Sequence, residues 1–248
     1  MLFLTIFAIF PIFSTGILTT LKSSPAQTEA MTLAAVVFDL DYTLVVPERK
    51  RQSLLDDATA AAGVRDIDRQ EYLDAHGADL ASETRAPIFD TLLDEGNPET
   101  VASAYRDAVE SALVPVDGAV DLLLELRRQY RVGLLTDGPV RAQQGKLDRL
   151  GWNDYFDGVV ITGSLPAGKP DGRAFDAIVS ELGVPAAATV FVGDHPEADV
   201  RGAKDAGMVA VQVVAGEDER APEADAYVER GDLQAQLMQF LSHQTRLQ

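Results

Sequence analysis

The sequence predicts an α/β fold, a doubly wound, Rossmann-like parallel sheet with a small helical-bundle cap domain. Three observations predict it. Short apolar runs rich in β-branched residues recur along the chain, each followed by a stretch of helical periodicity. The alternation breaks once, after the first strand, for a long excursion over residues 47–113. Polar residues gather where strands are predicted to end, and parallel strands bring those ends to one edge.

Residues 34–40 (AAVVFDL) read as a strand buried on both faces and leaving the sheet at acidic residues. The excursion that follows is helical and punctuated by Gly63, Gly77, Pro87 and Gly96-Asn97-Pro98, as a bundle of about four helices would be. Its clearest helix, 99–113, sets Val101, Tyr105, Ala108, Val109 and Ala112 on one face. Alternation then resumes. A helix over 117–129 precedes a strand over 131–136 (RVGLLT), and a helix over 140–150 precedes a strand over 158–162. Helix 172–182 precedes strand 189–192, and helix 197–206 precedes strand 209–213. This rhythm gives right-handed βαβ units. A polar loop over 216–224 and a closing helix over 233–241 complete the chain. The predicted division is therefore an α/β core over 31–46 and 114–248, with the cap over 47–113. An insertion at the first strand's carboxyl end becomes a roof over the ligand edge.

Residues 1–30 differ from the rest. The first 21 carry no charge, and three readings compete: a secretory signal, a membrane anchor, or an extension upstream of a working start at Met31. The third is preferred, because no basic residue precedes Lys22 and Pro11, Ser14 and Gly16 dilute the apolar run. On that reading the protein is cytoplasmic, and a membrane enters only if residues 1–21 are an anchor.

Composition narrows the chemistry. The chain has 248 residues, 46% hydrophobic and 24% charged, which excludes a disordered or multi-pass membrane protein. Without cysteine there is no disulfide scaffold, thiol nucleophile or Cys-ligated zinc. His76, His195 and His243 have no metal-ligand spacing. Lys plus Arg number 21 against 39 Asp plus Glu, and the net charge of −18 repels nucleic-acid backbones. Arginines outnumber lysines 16 to 5, and an acidic, lysine-poor surface suits a salt-adapted protein.

Four strand-end segments carry polar groups that no core requires: Phe38-Asp39-Leu40-Asp41-Tyr42-Thr43-Leu44, Leu134-Leu135-Thr136-Asp137-Gly138, Gly168-Lys169-Pro170-Asp171, and Val192-Gly193-Asp194-His195-Pro196-Glu197-Ala198-Asp199. Two carboxylates at i and i+2 can divide the work of phosphate ester cleavage. Asp39 is suited to attack phosphorus, and Asp41 to give a proton to the leaving oxygen and take one from water. Lys169 and the Thr136 hydroxyl can meet the charge on the phosphoryl oxygens. Clustered carboxylates beside a phosphate call for a hard cation, and Asp194 with Asp199 offers Mg²⁺ further oxygen ligands. Any one of these groups has an ordinary structural explanation; the ordered set does not.

The set resembles the haloacid dehalogenase (HAD) superfamily of phosphohydrolases over residues 34–215. FDLDYTL resembles its first motif, LLTDG its second, the lysine of GKPDGRAF its third, and VGDHPEADVRGAKDAGM its fourth. The resemblance implies Asp39 as nucleophile and Asp41 as general acid/base, with Thr136, Asp137 and Lys169 in the phosphate-binding loops. Mg²⁺ is then expected on Asp39, the Asp41 main-chain carbonyl and Asp194, with Asp199 in support. The excursion resembles the cap that this family inserts after the first motif. Tyr42 departs from the pattern, standing where Gly or Asp is commoner. His195-Pro196-Glu197 resembles phosphatases of small phosphate esters, including nucleotide and sugar phosphatases.

The function expected is Mg²⁺-dependent hydrolysis of a small phosphorylated metabolite of the phosphoglycolate, sugar phosphate or nucleoside monophosphate class. A phosphomutase of the same superfamily is the alternative, followed by a non-hydrolytic phospho-accepting or binding module. Arg49, Lys50, Arg51 and Arg85 are candidates to meet a substrate carboxylate or second phosphate, although exposed cap charges are the preferred reading of them.

Overall fold

The computed structural model describes residues 32–76, 83–216 and 219–246. The segment expected as an N-terminal extension, 1–30, lies outside them. β1 (Ala35–Phe38), β4 (Arg131–Thr136), β5 (Gly158–Ile161), β6 (Thr189–Gly193), β7 (Val209–Val214) and β8 (Ala226–Glu229) form a six-stranded sheet in the order β5-β4-β1-β6-β7-β8. Every pairing is parallel, and β1 lies between β4 and β6 with Phe38 level with Leu134 and Val192.

Both faces of the sheet are buried, as the unbroken apolar runs require. Val36 and Phe38 join Leu134 and Val192 in one core, beneath α5 (Ala119–Leu126) and α9 (Leu233–Arg246). Ala35 and Val37 turn to the other face, where α7 (Gly172–Leu182) brings Phe175 and Ile178 against Phe191. The Asp171 side chain caps α7, and Gly183 ends it in the left-handed region at φ 65°. α6 (Val140–Leu150) links β4 to β5.

Between β1 and β4 the chain runs through β2 (Val45–Pro47), α1 (Arg51–Ala62), α2 (Arg69–His76), α3 (Ala86–Leu92), α4 (Pro98–Ser111) and β3 (Leu113–Pro115). These helices share a core of their own, in which Leu54, Leu55, Tyr72, Phe89, Val101 and Tyr105 are buried. Asn97 caps α4 by accepting from the backbone N–H groups of Glu99 and Thr100 at 2.9 and 3.2 Å.

Several details differ from the sequence reading. β2 and β3 pair as a short antiparallel ribbon where no strand was expected. Three residues each, one of them proline in both strands, is too short for a period to show. β8 was missed because its exposed side alternates polar residues at the sheet edge. The helix expected over 117–129 contracts to Ala119–Leu126, since Gly118 enters it from φ 74°. The α-helix expected over 197–206 is instead a π-turn over Pro196–Arg201 followed by a short α8 (Gly202–Asp205). Among the described residues, no helix is long and apolar enough to cross a membrane.

Candidate active site

The four polar segments lie at or beyond the carboxyl ends of the neighbouring strands β1, β4, β5 and β6, the third of them past a 3-10 turn over Thr162–Ser164, and the sheet brings them together. Asp39 follows β1, its N–H donating to the Val192 carbonyl at 2.9 Å, so the nucleophile candidate is pinned between two loops by backbone. Lys169 Nζ donates to Asp39 Oδ1 at 2.7 Å and to Asp199 Oδ1 at 2.6 Å, with all three residues buried. Asp194 completes the group: ligating oxygens of Asp39, Asp194 and Asp199 lie within 4.8 Å of one another.

Local backbone makes this approach possible. In the π-turn both Asp199 and Val200 donate to the His195 carbonyl, a widened turn of the kind often found at functional sites. It points Asp199 back at the strand, where its Oδ2 accepts from the His195 N–H at 2.9 Å. Gly193 is required there, since a Cβ at that position would sit 2.5 Å from Asp199 Cγ.

The electrostatics record the crowding. Burial raises the Asp39 carboxyl well above its usual range, Lys169 opposes that rise, and the Asp199 and Asp194 charges add to it. Asp194 is pushed up to about 7 by burial and then by Asp199. Burial would lower the Lys169 ammonium, but Asp199 and Asp39 outweigh it and hold it well above the usual lysine value. A crowded carboxylate set in which Asp39 and Asp194 resist ionisation, with hard oxygen donors and no softer ligand, fits a divalent cation such as Mg²⁺.

Asp41 faces the other way. Its Oδ1 accepts from Arg51 Nη2 at 2.9 Å, and its Oδ2 accepts from Lys146 Nζ and from Gln143 Nε2, the latter at 3.2 Å. Burial opposes ionisation of Asp41, yet Lys146 and Arg51 outweigh it and keep the carboxyl well below the usual range. Lys146, fully buried, is lowered to about 8 chiefly by that burial. Gln143 Nε2 also donates to the Thr136 hydroxyl at 2.9 Å and to the Asp137 carbonyl. Asp137 Oδ1 accepts from the Lys169 N–H at 3.1 Å, tying the second and third segments together.

Tyr42 sits at φ 61°, the left-handed region that Gly, Asn and Asp enter most readily. Its carbonyl accepts from Arg230 Nε at 2.6 Å, and its ring lies within 6 Å of both Arg51 (5.8 Å) and Arg230 (5.9 Å). Of the four basic candidates, Arg49 and Lys50 are exposed, as expected. Arg51 and Arg85 turn inward and line a cavity of about 180 Å³, which corrects the surface reading for those two.

The sequence reading missed Gln143, Lys146 and Arg69. The first two were detectable in principle: α6 buries Ala142, Gln143, Lys146 and Leu147 on one stripe, and two polar residues on a buried stripe call for a partner.

Comparison with known proteins agrees with this geometry. A family model described as haloacid dehalogenase-like hydrolase matches residues 33–207. A glyceraldehyde 3-phosphate phosphatase of Methanopyrus kandleri is 32% identical over 200 residues, covering 74% of this chain and 85% of that one. A phosphoglycolate phosphatase of Pseudomonas fluorescens is 33% identical over 202 residues, covering 77% and 72%. The crystal structure of an HAD phosphatase from Thermococcus onnurineus superposes with a TM-score of 0.63 at 28% identity, covering 83% of this chain and 98% of that one.

Proposed function

The chain belongs to the haloacid dehalogenase-like hydrolase family, and on that premise we propose that it is a Mg²⁺-dependent phosphatase that cleaves a small phosphate monoester through an aspartyl phosphate on Asp39. The observation that carries the reading is the group of buried Asp39 and Asp199 with half-buried Asp194, in which Lys169 bridges the two buried members.

The side chains of Asp39, Asp194 and Asp199, with the Asp41 carbonyl, would hold the cation. When bound, it supplies charge neutralisation for these carboxylates and for the phosphoryl oxygens. Asp39 attacks phosphorus, the bond to the ester oxygen breaks, and Asp41 protonates the departing alkoxide. Water then gives a proton to Asp41 and attacks phosphorus, and the bond to Asp39 breaks to release phosphate. Lys169 compensates charge on the phosphoryl group and keeps Asp39 in line. Thr136, whose hydroxyl is set by Gln143, donates to a phosphoryl oxygen.

The resting ion pairs oppose a proton on Asp41. A bound phosphate brings negative charge beside it, which competes for Lys146 and Arg51 and raises the Asp41 value again. Substrate thus loads its own acid. The helices α1–α4 act as the cap, and a small metabolite as substrate agrees with a cytoplasmic setting.

The test is hydrolysis of p-nitrophenyl phosphate by protein starting at Met31. We expect activity that EDTA removes, that Asp39→Asn abolishes, and that Asp41→Asn reduces by at least ~10²-fold, the scale of general acid catalysis. Near-wild-type turnover by Asp39→Asn would overturn the nucleophile assignment. A sugar phosphate assay separates a mutase, which would return an isomer and little free phosphate.

A further inference from the structure

We propose that the cavity beside Asp41 is a second-anion subsite, so that the preferred substrate is a short phosphate monoester bearing a carboxylate or a second phosphate. The inference rests on the phosphatase reading and deepens it. Asp39 and Lys169 do not line this cavity, whereas Asp41, Asp137 and Gly138 do, so it receives the part of the substrate beyond the ester oxygen.

Its walls are cationic in a chain of net charge −18. Arg51, Arg69, Arg85 and Lys146 face two carboxylates, Asp41 and Asp137. Arg51 and Lys146 are matched by Asp41. The remaining two meet neutral aromatic groups instead. Arg69 lies over the Tyr72 ring at 5.0 Å and donates to the Tyr105 hydroxyl at 3.2 Å. Arg85 lies over the Tyr105 ring at 5.4 Å, and its Nε and Nη1 are buried without an acceptor. Glu110, the α4 carboxylate whose charge reaches Arg85, makes no hydrogen bond to either nitrogen.

A buried guanidinium with unmet donors is costly unless something else supplies the acceptor. Burial, then Arg85 and Arg69, lower the imidazole of His76 on the same wall below its usual value, with Asp137 opposing them. Planar guanidinium forks suit carboxylate and phosphate oxygens. The size limits the rest of the molecule. At about 180 Å³ the cavity is smaller than the roughly 300–1,000 Å³ of pockets for drug-sized ligands, which favours a short carbon chain over a nucleoside.

The experiment compares kcat/KM for three esters of similar length: ethyl phosphate, 2-phosphoglycolate, and propane-1,3-diol bisphosphate. Wild-type protein is expected to prefer at least one anionic ester over ethyl phosphate by tenfold or more, and the two anionic arms distinguish carboxylate from phosphate. Arg85→Gln and Arg69→Gln should each shrink that preference ratio at least fivefold, mainly through KM, and Arg85→Lys should restore part of it. Calorimetry of 2-phosphoglycolate and the bisphosphate binding to Asp39→Asn protein reads the same subsite without turnover. Equal kcat/KM for all three esters, or variants that lower every ester alike, would overturn the subsite and leave the phosphatase reading standing. Hydrolysis of none of them, nor of p-nitrophenyl phosphate, would overturn both.

Discussion

Lys169 shows how much one side chain can decide. Its side chain is 3% exposed and holds two carboxylates that would otherwise face each other in a dry site. Removing one member of a buried ion pair costs about 3–5 kcal/mol. Lys169→Met should therefore lower stability in urea by about that much in EDTA, and by less with Mg²⁺ present. The same crowding predicts a pH dependence. Asp194 takes up a proton at about 7 in the fold against 3.8 in the free side chain, so between those values the folded state holds more protons than the unfolded one. The metal-free protein should lose stability as pH rises through that window, with Asp39 acting in the same direction. The gain in Tm on adding Mg²⁺ should then be larger at pH 8 than at pH 5. A constant gain across that range, in thermal melts with and without EDTA, would contradict the crowding. Lys146→Met tests the other pair: Asp41 keeps Arg51 but loses its buried ammonium, and kcat should fall more than the apparent Mg²⁺ affinity.

Elements place these residues, and they differ in how far the chain announces them. β1, β4, β6 and α7 were legible because a doubly buried strand is a continuous apolar run and a one-face helix has a clear stripe. Asp39, Thr136 and Asp194 were legible for the same reason, since each ends or follows such a run, whereas Lys169 and Asp199 lie further along the segments after β5 and β6. The π-turn was not. Residues 196–201 have ordinary helix composition, and the widened turn sets Asp199 close against Gly193 with its carboxylate accepting from the His195 N–H. Gly193→Ala should therefore displace Asp199, weakening Mg²⁺ binding and activity while leaving far-ultraviolet circular dichroism nearly unchanged. The partners of Lys146 and Arg69 were not legible because they lie far along the chain: 105 residues separate Lys146 from Asp41, and 36 separate Arg69 from Tyr105. Asn97 is a purely local case. Asn97→Ala should cost about 1 kcal/mol through the α4 cap, measurable in denaturant.

For the whole molecule, the dominant quantity is the charge of −18. Mutual repulsion among exposed carboxylates destabilises a compact chain, and salt screens it. Tm should rise as salt is increased from dilute buffer toward molar concentration; best stability in dilute buffer would refute salt adaptation. The same contrast sets an acidic exterior against a cationic cavity, and repulsion from the exterior should make capture of an anionic substrate faster as salt rises. The connection between sheet and helices has a separate consequence. β2 and β3 run antiparallel, with Val45 opposite Pro115 and Pro47 opposite Leu113, so the chain departs and returns about 5 Å apart. A segment whose two ends are neighbours can be exchanged for another of different length without disturbing the scaffold around it. Grafting a foreign insertion between Pro47 and Leu113 is thus a route to new substrates on an unaltered reaction centre.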